Sequence, residues 1–271
     1  MHIAYSPDTL AIARGLDELL AGLTSSPPSP EFYDQPHDRV RKELDDGGWL
    51  NAAIGPEGVL QAVALAEVWG KYLYPVPFLE GMMLRRWDGE SSPDLAAGPE
   101  VGLGPAGAVL VPFGAPRPEP RPGPLMVTPS FPLAPSSSVP IAVERQRELA
   151  PVLAASTVGC ATAALVRVSE YAAQREAFGR KIVQFQALRH RIANIMRDIE
   201  LARTAAVWSA AQDAPDWHAA ALKCADLSRS ALEGAGQVFG GISFTWEFGL
   251  HYYVRHVLAV RRALRSIGAA R

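Results

Sequence analysis

The chain has 271 residues, of which 48% are hydrophobic and 20% are charged, so it can bury a sizeable core in one large domain or two small ones. The formal net charge of −2 excludes a general attraction to nucleic acid or to an anionic membrane, so any phosphate binding must be local. The two cysteines, Cys160 and Cys224, stand in alanine-rich stretches and indicate reduced core residues, not a disulfide framework or a metal site.

The N-terminal sequence MHIAYSPDTLAIARGL lacks a basic segment followed by an apolar one, so we expect no signal peptide. No uninterrupted apolar run reaches the ~18 residues that a membrane span needs. These features predict a cytoplasmic protein that binds neither membranes nor nucleic acid.

Residues 1–88 are predicted to form an N-terminal helical region. Ser6, Pro7 and Asp8 supply a cap residue, a proline in the first turn and an acid against the helix dipole, which together start a helix. This helix should end before the breaker TSSPPSP. Three further helices are predicted in DRVRKELDDGG, from Pro56 through EGVLQAVALAEVWGKYL, and in FLEGMMLRRW.

Residues 89–142 are predicted to form a reduced, proline-rich β segment. Ten prolines lie between positions 112 and 140, and proline is poorly tolerated in central strands. The short apolar runs AVLVPF and PLMV are the strand candidates. Any sheet in this segment should therefore be small and edge-like.

Residues 143–271 are predicted to form an antiparallel four-helix bundle, which makes the chain mainly α. The predicted helices cover residues 143–177, 184–212, 216–239 and 244–266. The second of them has apolar side chains at helical spacing, namely Phe185, Leu188, Ile192, Ile195, Ile199 and Ala202. Short connections between long amphipathic helices favour antiparallel neighbours.

The joint between the first two bundle helices, REAFGRKIVQFQ, carries many polar side chains around an aromatic ring. The first helix is predicted to end at Phe178 and Gly179, because glycine accepts left-handed backbone. Arg175 lies one turn before this end, and Gln186 lies in the first turn of the next helix, whose amides favour an anion. The residues suit a ligand with a pyrophosphate and a base. An ordinary helical hairpin with solvated or paired polar side chains is the simpler explanation.

A second polar constellation, EGAGQVFGGISFTWEFG, stands between the third and fourth bundle helices. Gln237 lies in the last turn of the third helix, and Gly240 and Gly241 allow a backbone to approach another group closely. Taken alone, a tight turn between two helices explains this stretch.

The order and spacing of the two constellations resemble the acyl-CoA dehydrogenase family. Its pattern R-x-x-F-G-x-x-x-x-x-x-Q is matched by Arg175, Phe178, Gly179 and Gln186. Its pattern Q-x-x-G-G-x-G-[FY]-T-x-E is matched by Gln237, Gly240, Gly241, Phe244, Thr245 and Glu247, with Ser243 in place of the usual glycine. The resemblance covers the C-terminal half and, weakly, the N-terminal third, where ALAEVWGKYLYPVPFLEG is similar to a helix end of that family.

The resemblance implies an acyl-CoA dehydrogenase-like fold and a share in an FAD site. In that family, the two motifs hold the adenosine and pyrophosphate of an FAD bound mainly by the neighbouring subunit. Carried over residue by residue, this adenosine grip would comprise Arg175, Phe178, Gln186, Gln237 and Gly241. A guanidinium fork suits paired phosphate oxygens, and an aromatic ring can cover the ribose or adenine.

The family's reaction also needs a carboxylate base against the α carbon of an acyl-CoA. Many relatives carry it in an E-G-T motif on the fourth helix, where this chain reads RHVLAVRRALRSIGAAR without an acid. Other relatives place it on the first bundle helix, where Glu148 lies next to the alternative position and Glu144 lies one turn earlier. A solvated helix face beside Arg145 and Arg147 explains both acids, so Glu148 is a weak catalytic candidate. Glu247 is interpreted as structural.

Three hypotheses remain open, because the β segment is also shorter than in full-length relatives. In the first, the chain is the non-catalytic subunit of an α2β2 heterotetramer, as in actinobacterial steroid side-chain dehydrogenases. A second acyl-CoA dehydrogenase-like chain would then hold most of the FAD and of the CoA thioester, for which a steroid-derived acyl group is one candidate. In the second, the chain is a minimal homodimeric dehydrogenase that uses Glu148. In the third, it is a flavin-free helical scaffold.

Overall fold

The computed structural model describes residues 5–23, 28, 37–74, 76–88, 100–104, 107–111, 139–140, 142–211 and 214–269. The helices are α1 (Pro7–Leu23), α2 (Asp38–Asp46), α3 (Gly58–Tyr72), α4 (Phe78–Asp88), α5 (Val143–Gln174), α6 (Gln186–Ser209), α7 (Trp217–Phe239) and α8 (Leu250–Ala269). Short 3₁₀ helices cover Trp49–Ala53, Ile182–Gln184 and Gly240–Phe244. The strands are β1 (Glu100–Gly104), β2 (Gly107–Val111), β3 (Val139–Pro140), β4 (Glu176–Ala177) and β5 (Arg180–Lys181).

All four helices predicted in residues 1–88 are present as α1 to α4. The predicted start signal of α1 is formed, because the Ser6 hydroxyl accepts a hydrogen bond of 3.2 Å from the Thr9 amide. The breaker TSSPPSP lies outside the described residues, apart from Pro28. Of these helices, α1 and α4 both pack against α3.

The C-terminal helices α5 to α8 pack against one another, and we refer to them as the C-terminal bundle. Helix α5 contacts α6, α7 and α8, while α7 lies between α6 and α8. Two boundaries beside the motifs differ from those predicted. Helix α5 ends at Gln174, four residues before Phe178, and α8 begins at Leu250, six residues after position 244. In both places a glycine-containing turn replaces the expected helical residues.

Helix α5 is apolar around most of its circumference, because it packs against α3 as well as α6, α7 and α8. By length and composition alone, it is the one helix in the described part of the chain that could cross a membrane. The criterion of an uninterrupted apolar run missed it. In this fold, 78% of its most apolar window is buried inside the protein. Such burial is typical of the central helix of a folded domain.

Helices α3 and α5 touch through their backbones, because both carry glycine at the crossing. A Cβ atom added to Gly70 would overlap the carbonyl oxygen of Ser156, and one added to Gly159 would overlap that of Glu67. Only a glycine pair allows this approach. Beside the crossing, Glu67 of α3 accepts hydrogen bonds of 2.6–3.0 Å from the Arg203 guanidinium of α6. The crossing therefore joins the N-terminal helices to the C-terminal bundle.

The β segment forms a small antiparallel sheet of order β1-β2-β3. Val101 pairs with Leu110, and Leu110 pairs with Val139, so β2 is the central strand. The candidate strand AVLVPF overlaps β2, whereas PLMV lies outside the described residues. Strand β2 contacts α8 of the bundle.

A buried histidine lies at the contact between α5 and α8. The side chain of His256 is 5% exposed, and its Nε2 atom lies 2.8 Å from the Ser156 hydroxyl. Its Nδ1 atom is buried and makes no hydrogen bond. Burial lowers the pKa of His256 to about 4, because a charged imidazole would lose its hydration there.

Alanine at either glycine of the α3–α5 crossing should destabilise the fold. Gly70→Ala and Gly159→Ala place a methyl group against a carbonyl oxygen, which should cost about 3 kcal/mol or more in the free energy of unfolding. Gly22→Ala is the matched control, because a Cβ at this helical glycine meets nothing within 4 Å. It should stabilise the chain by up to ~1 kcal/mol. Urea unfolding measures all three, and equal stabilities would contradict a backbone crossing.

Acidification should destabilise the protein through His256. The unfolded imidazole takes up a proton near pH 6.5, whereas the folded one stays neutral down to about pH 4. The unfolded chain thus binds more protons in this window, so the free energy of unfolding falls as the pH falls, by roughly 3 kcal/mol for this group. His256→Gln should flatten the profile measured by urea unfolding between pH 4 and pH 7. His190→Gln, at an exposed position, should leave it as steep as in the wild type.

Candidate functional site

The first motif folds as a small hairpin instead of the predicted helix end. After α5 ends, Arg175 has extended backbone (φ −67°, ψ 131°), and β4 pairs with β5 through Glu176–Lys181 and Ala177–Arg180. Phe178 and Gly179 form its two-residue tip, with φ angles of +53° and +77°. Positive φ at both positions is what the tight turns of two-residue hairpins require. Gly179 was expected to be left-handed, but Phe178 was not.

Phe178 is the most exposed large apolar residue of the described chain. Its side chain is 96% exposed, and its ring meets only the edge of Phe185, at 6.2 Å between ring centres. A phenylalanine at positive φ is strained, since its Cβ crowds the backbone, and such strain concentrates at functional sites. The hairpin therefore holds an aromatic ring out into solvent at a cost in free energy.

The hairpin leads into the N-terminus of α6, which no side chain caps. Gln186 is the first residue of this helix, and its side chain is exposed. Within the described residues, the guanidinium groups nearest this turn in sequence have no carboxylate partner; they belong to Arg175, Arg180, Arg189 and Arg191. A helix N-terminus with uncompensated arginines attracts anions.

The second motif forms the 3₁₀ turn Gly240–Phe244. Gly240 has a φ of +68°, and a Cβ added to Gly240 or Gly241 would meet nothing within 4 Å, so open space lies beside both. Ser243, the departure from the family pattern, is buried and donates a hydrogen bond of 2.7 Å to the Gly240 carbonyl. This hydrogen bond stabilises the turn on its buried side. Phe244 is 88% exposed on the outside.

The two motifs lie at the same end of the C-terminal bundle. Near it, the rings of Tyr171 on α5 and Phe239 on α7 pack at 5.4 Å. Across the neighbouring pair of helices, Arg191 of α6 donates a hydrogen bond from Nη1 to the side-chain oxygen of Gln237 on α7. The fold therefore brings the predicted residues to one end of the bundle, which we name the grip end. No direct contact between Arg175 and Gln237 is described.

A polar groove of about 410 Å³ runs between α6 and α7 from the grip end. Its walls include Ala187, His190, Arg191, Asn194, Asp198, Ser230, Glu233 and Gln237. We call it the α6–α7 groove. Arg191 was not among the residues predicted from the sequence. The polar residues of α6 recur at three- and four-residue spacing, and this spacing places Arg191 on the face of α6 that lines the groove.

The weak catalytic candidate, Glu148, is held in a structural network at the other end of α5. Its carboxylate accepts hydrogen bonds of 3.0 and 2.9 Å from Arg86 and of 2.7 Å from the Trp87 indole. Burial alone would raise the pKa of Glu148, but these hydrogen bonds and the charges of Arg86 and Arg145 lower it below its usual value. A base with lowered pKa and two bound donors is a poor proton acceptor. The 26-residue separation from Gln174 also puts Glu148 roughly 40 Å from the grip end.

Two further acids and both cysteines have ordinary surroundings. Glu144 and Glu247 are exposed. Cys160 and Cys224 are free and buried, and burial raises the pKa of both thiols. No group of three or more potential metal ligands occurs among the residues that the structure describes.

The bundle that contains both motifs resembles a known protein domain. A family model described as "Acyl-CoA dehydrogenase, C-terminal domain" matches residues 141–263. The C-terminal bundle is similar to the C-terminal domain of acyl-CoA dehydrogenases. This match includes both motifs of the grip end and excludes α1 to α4.

One curated relative is acyl-CoA dehydrogenase IpdE2 of Mycobacterium tuberculosis, which is 38% identical over 117 residues. The alignment covers 42% of this chain and 36% of that acyl-CoA dehydrogenase, so the chain matches about a third of the relative's length.

Two solved structures extend the likeness to the whole chain. The ChsE4–ChsE5 complex from Mycobacterium tuberculosis contains a chain that superposes with a TM-score of 0.70 at 19% identity, covering 100% of this chain and 96% of that chain. A chain of a Tcur3481–Tcur3483 variant, described as a steroid ACAD (acyl-CoA dehydrogenase), superposes with a TM-score of 0.66 at 20% identity. The superposition covers 97% of this chain and 96% of that chain. Identities this low establish the fold alone. The chain has the acyl-CoA dehydrogenase fold.

Replacement of Glu148 should reduce stability and leave catalysis intact. In Glu148→Gln, the amide NH2 group faces an N–H donor of Arg86, so one of the two hydrogen bonds is lost. This loss should lower the free energy of unfolding by about 1–2 kcal/mol. Glu144→Gln, on the exposed face of the same turn, should change it little. If Glu148 were the base, dehydrogenation of an acyl-CoA would fall by about 10²–10⁴-fold. Urea unfolding and the rate per bound flavin separate the two roles.

Proposed function

We propose that this chain is a subunit of a heteromeric, FAD-dependent acyl-CoA dehydrogenase. Its grip end completes the adenosine and pyrophosphate portion of an FAD held mainly by a second acyl-CoA dehydrogenase-like chain. That partner supplies the catalytic base and most of the acyl-CoA site. The observation that carries the proposal is the grip end itself, which has arginines without a carboxylate partner in the described structure, exposed aromatic rings and open glycine backbone.

Charge supports a pyrophosphate at this end. The chain is slightly acidic overall, yet Arg175 and Arg191 carry guanidiniums without a carboxylate partner in the described structure. Arginine in this state is open to bidentate pairing with phosphate oxygens. The uncapped amides at Gln186 add further donors.

Exposed apolar surface supports a macromolecular partner over a small ligand alone. Phe178 and Phe244 are almost fully exposed, and Ile242 and Trp246 beside them are about half exposed. An isolated chain rarely concentrates large apolar side chains in this way, whereas interfaces are enriched in aromatic residues. The open space beside Gly241 leaves room for a bound group between two chains.

The engaged state of Glu148 supports a division of labour between chains. Its carboxylate already serves Arg86 and Trp87, and no acid stands in the E-G-T position of α8. Both solved structures named above are assemblies of two proteins, and one is described as a steroid ACAD. We therefore propose an α2β2 heterotetramer in the cytoplasm that acts on a CoA thioester, with steroid-derived acyl groups as the first to test.

In this assembly the chain binds and orients the cofactor. Bound FAD supplies the hydride acceptor for α,β-dehydrogenation. Arg175 would neutralise phosphate charge, Phe178 would cover the adenosine, and Gly241 would let the backbone lie close to the pyrophosphate. Gln186 and Gln237 contribute donors from α6 and α7. The removal of the α proton falls to the partner chain.

Arg175→Ala should weaken flavin binding by the assembly. The chain would be co-expressed with an acyl-CoA dehydrogenase-like chain from the same organism, and bound flavin would be read from its visible absorbance. Loss of a charge-assisted hydrogen bond should raise the Kd for FAD by about 10- to 100-fold. Arg39→Ala, at an exposed position of α2, should leave the Kd unchanged.

Three outcomes would overturn the proposal in different ways. Undiminished flavin in the Arg175→Ala assembly would remove the grip end from the site. A yellow chain purified alone would mean that it holds FAD without a second protein. Colourless protein both alone and in the assembly would leave a helical scaffold without flavin.

A further inference from the structure

The contact between Arg191 and Gln237 orients an amide at the grip end. A carboxamide has one acceptor, its oxygen, and one donor group, its NH2. Here the oxygen accepts a hydrogen bond from Nη1 of Arg191. The reverse orientation would set the NH2 group against a guanidinium N–H, donor against donor. Arg191 therefore selects the orientation in which the NH2 group of Gln237 is free for another partner.

Arg191 is available for this task because no acid competes for it. The two acidic residues that line the α6–α7 groove are engaged elsewhere, since Asp198 pairs with Arg197 and Glu233 pairs with Arg229. Arg191 is exposed and has no carboxylate partner in the part of the chain that the structure describes. It thus adds one uncompensated positive charge beside Gln237.

We propose that Arg191 is a positioning residue of the cofactor site, which turns the N–H groups of Gln237 toward the ligand. This inference rests on the proposed function and deepens it. With its oxygen held by Arg191, Gln237 presents its N–H groups on the opposite side, so the ligand atoms that they bind are acceptors. Phosphate oxygens of the dinucleotide meet this requirement, and the charge of Arg191 favours them. An amino group on the ligand, such as the exocyclic amine of adenine, does not.

The chemistry of Gln237 can be reversed without changing its size. Gln237→Glu keeps the acceptor for Arg191 and strengthens that contact, but it replaces the donating NH2 group by a negatively charged oxygen. If Gln237 donates to phosphate, this variant should raise the Kd of the assembly for FAD by tenfold or more. If Gln237 accepts from the ligand instead, the variant should bind FAD as tightly as the wild type, and the proposal fails.

The role of Arg191 is tested by a matched series on the same helix. Arg191→Met removes the guanidinium and should raise the Kd for FAD about five- to tenfold, because the amide is then free to rotate. Arg191→Lys, whose ammonium can still donate to Gln237, should recover most of the affinity. Arg189→Met removes an exposed charge two residues away but no contact with Gln237, so it should raise the Kd less than Arg191→Met does. Equal affinity of Arg191→Met and wild type would overturn the proposal.

Three additional measurements distinguish the possible explanations of the result. Arg175→Ala is assayed in parallel: if it also leaves FAD binding unchanged, the proposed function fails, whereas a defect in Arg175→Ala alone rejects only the role of Arg191. Competition by ADP, which carries the adenosine and pyrophosphate without the flavin ring, should follow the same order of variants. Thermal unfolding of each variant then identifies any loss of affinity that comes from misfolding.

Discussion

The backbone crossing of α3 and α5 is the constraint on which the remaining architecture depends. Two glycines bring the helix axes so close that side chains cannot separate them, and carbonyl oxygens occupy the space that Cβ atoms would need. The Glu67–Arg203 ion pair then fixes α6 against the same crossing. Helix α5 also packs against α6, α7 and α8. The α3–α5 crossing therefore sets the position of the C-terminal bundle relative to the N-terminal helices.

The 32-residue helix α5 separates two chemically different ends of the molecule. At one end, Arg86 and Trp87 saturate Glu148, and the network is satisfied within the chain. At the other, Arg175 lacks a carboxylate partner within the described residues, and Phe178 stands in solvent. The first end is self-sufficient and stabilises the fold. The second carries charge and apolar surface that the described residues leave exposed, and our proposal places the cofactor there.

Helical periodicity was sufficient to predict the helices, because each buries one stripe or its whole surface; Ile195, Ile199 and Ala202 of α6 are buried as their spacing requires. The hairpin at the end of α5 was missed, since a phenylalanine at positive φ contradicts its own backbone preference. The network around Glu148 was beyond sequence reasoning, because its partner Arg86 is 62 residues away. The motifs predict grip residues that the fold brings to one end of the bundle, and the contact with Gln237 adds Arg191 to that end.

The backbone at the tip of the hairpin disfavours the residue type found there. Glycine or asparagine at position 178 would adopt the observed backbone with less strain and would remove an exposed ring. A sequence selected only for the stability and solubility of the isolated chain would carry one of them. Under the proposed function, a replacement of Phe178 that stabilises the free subunit would also remove a ring that the assembly uses.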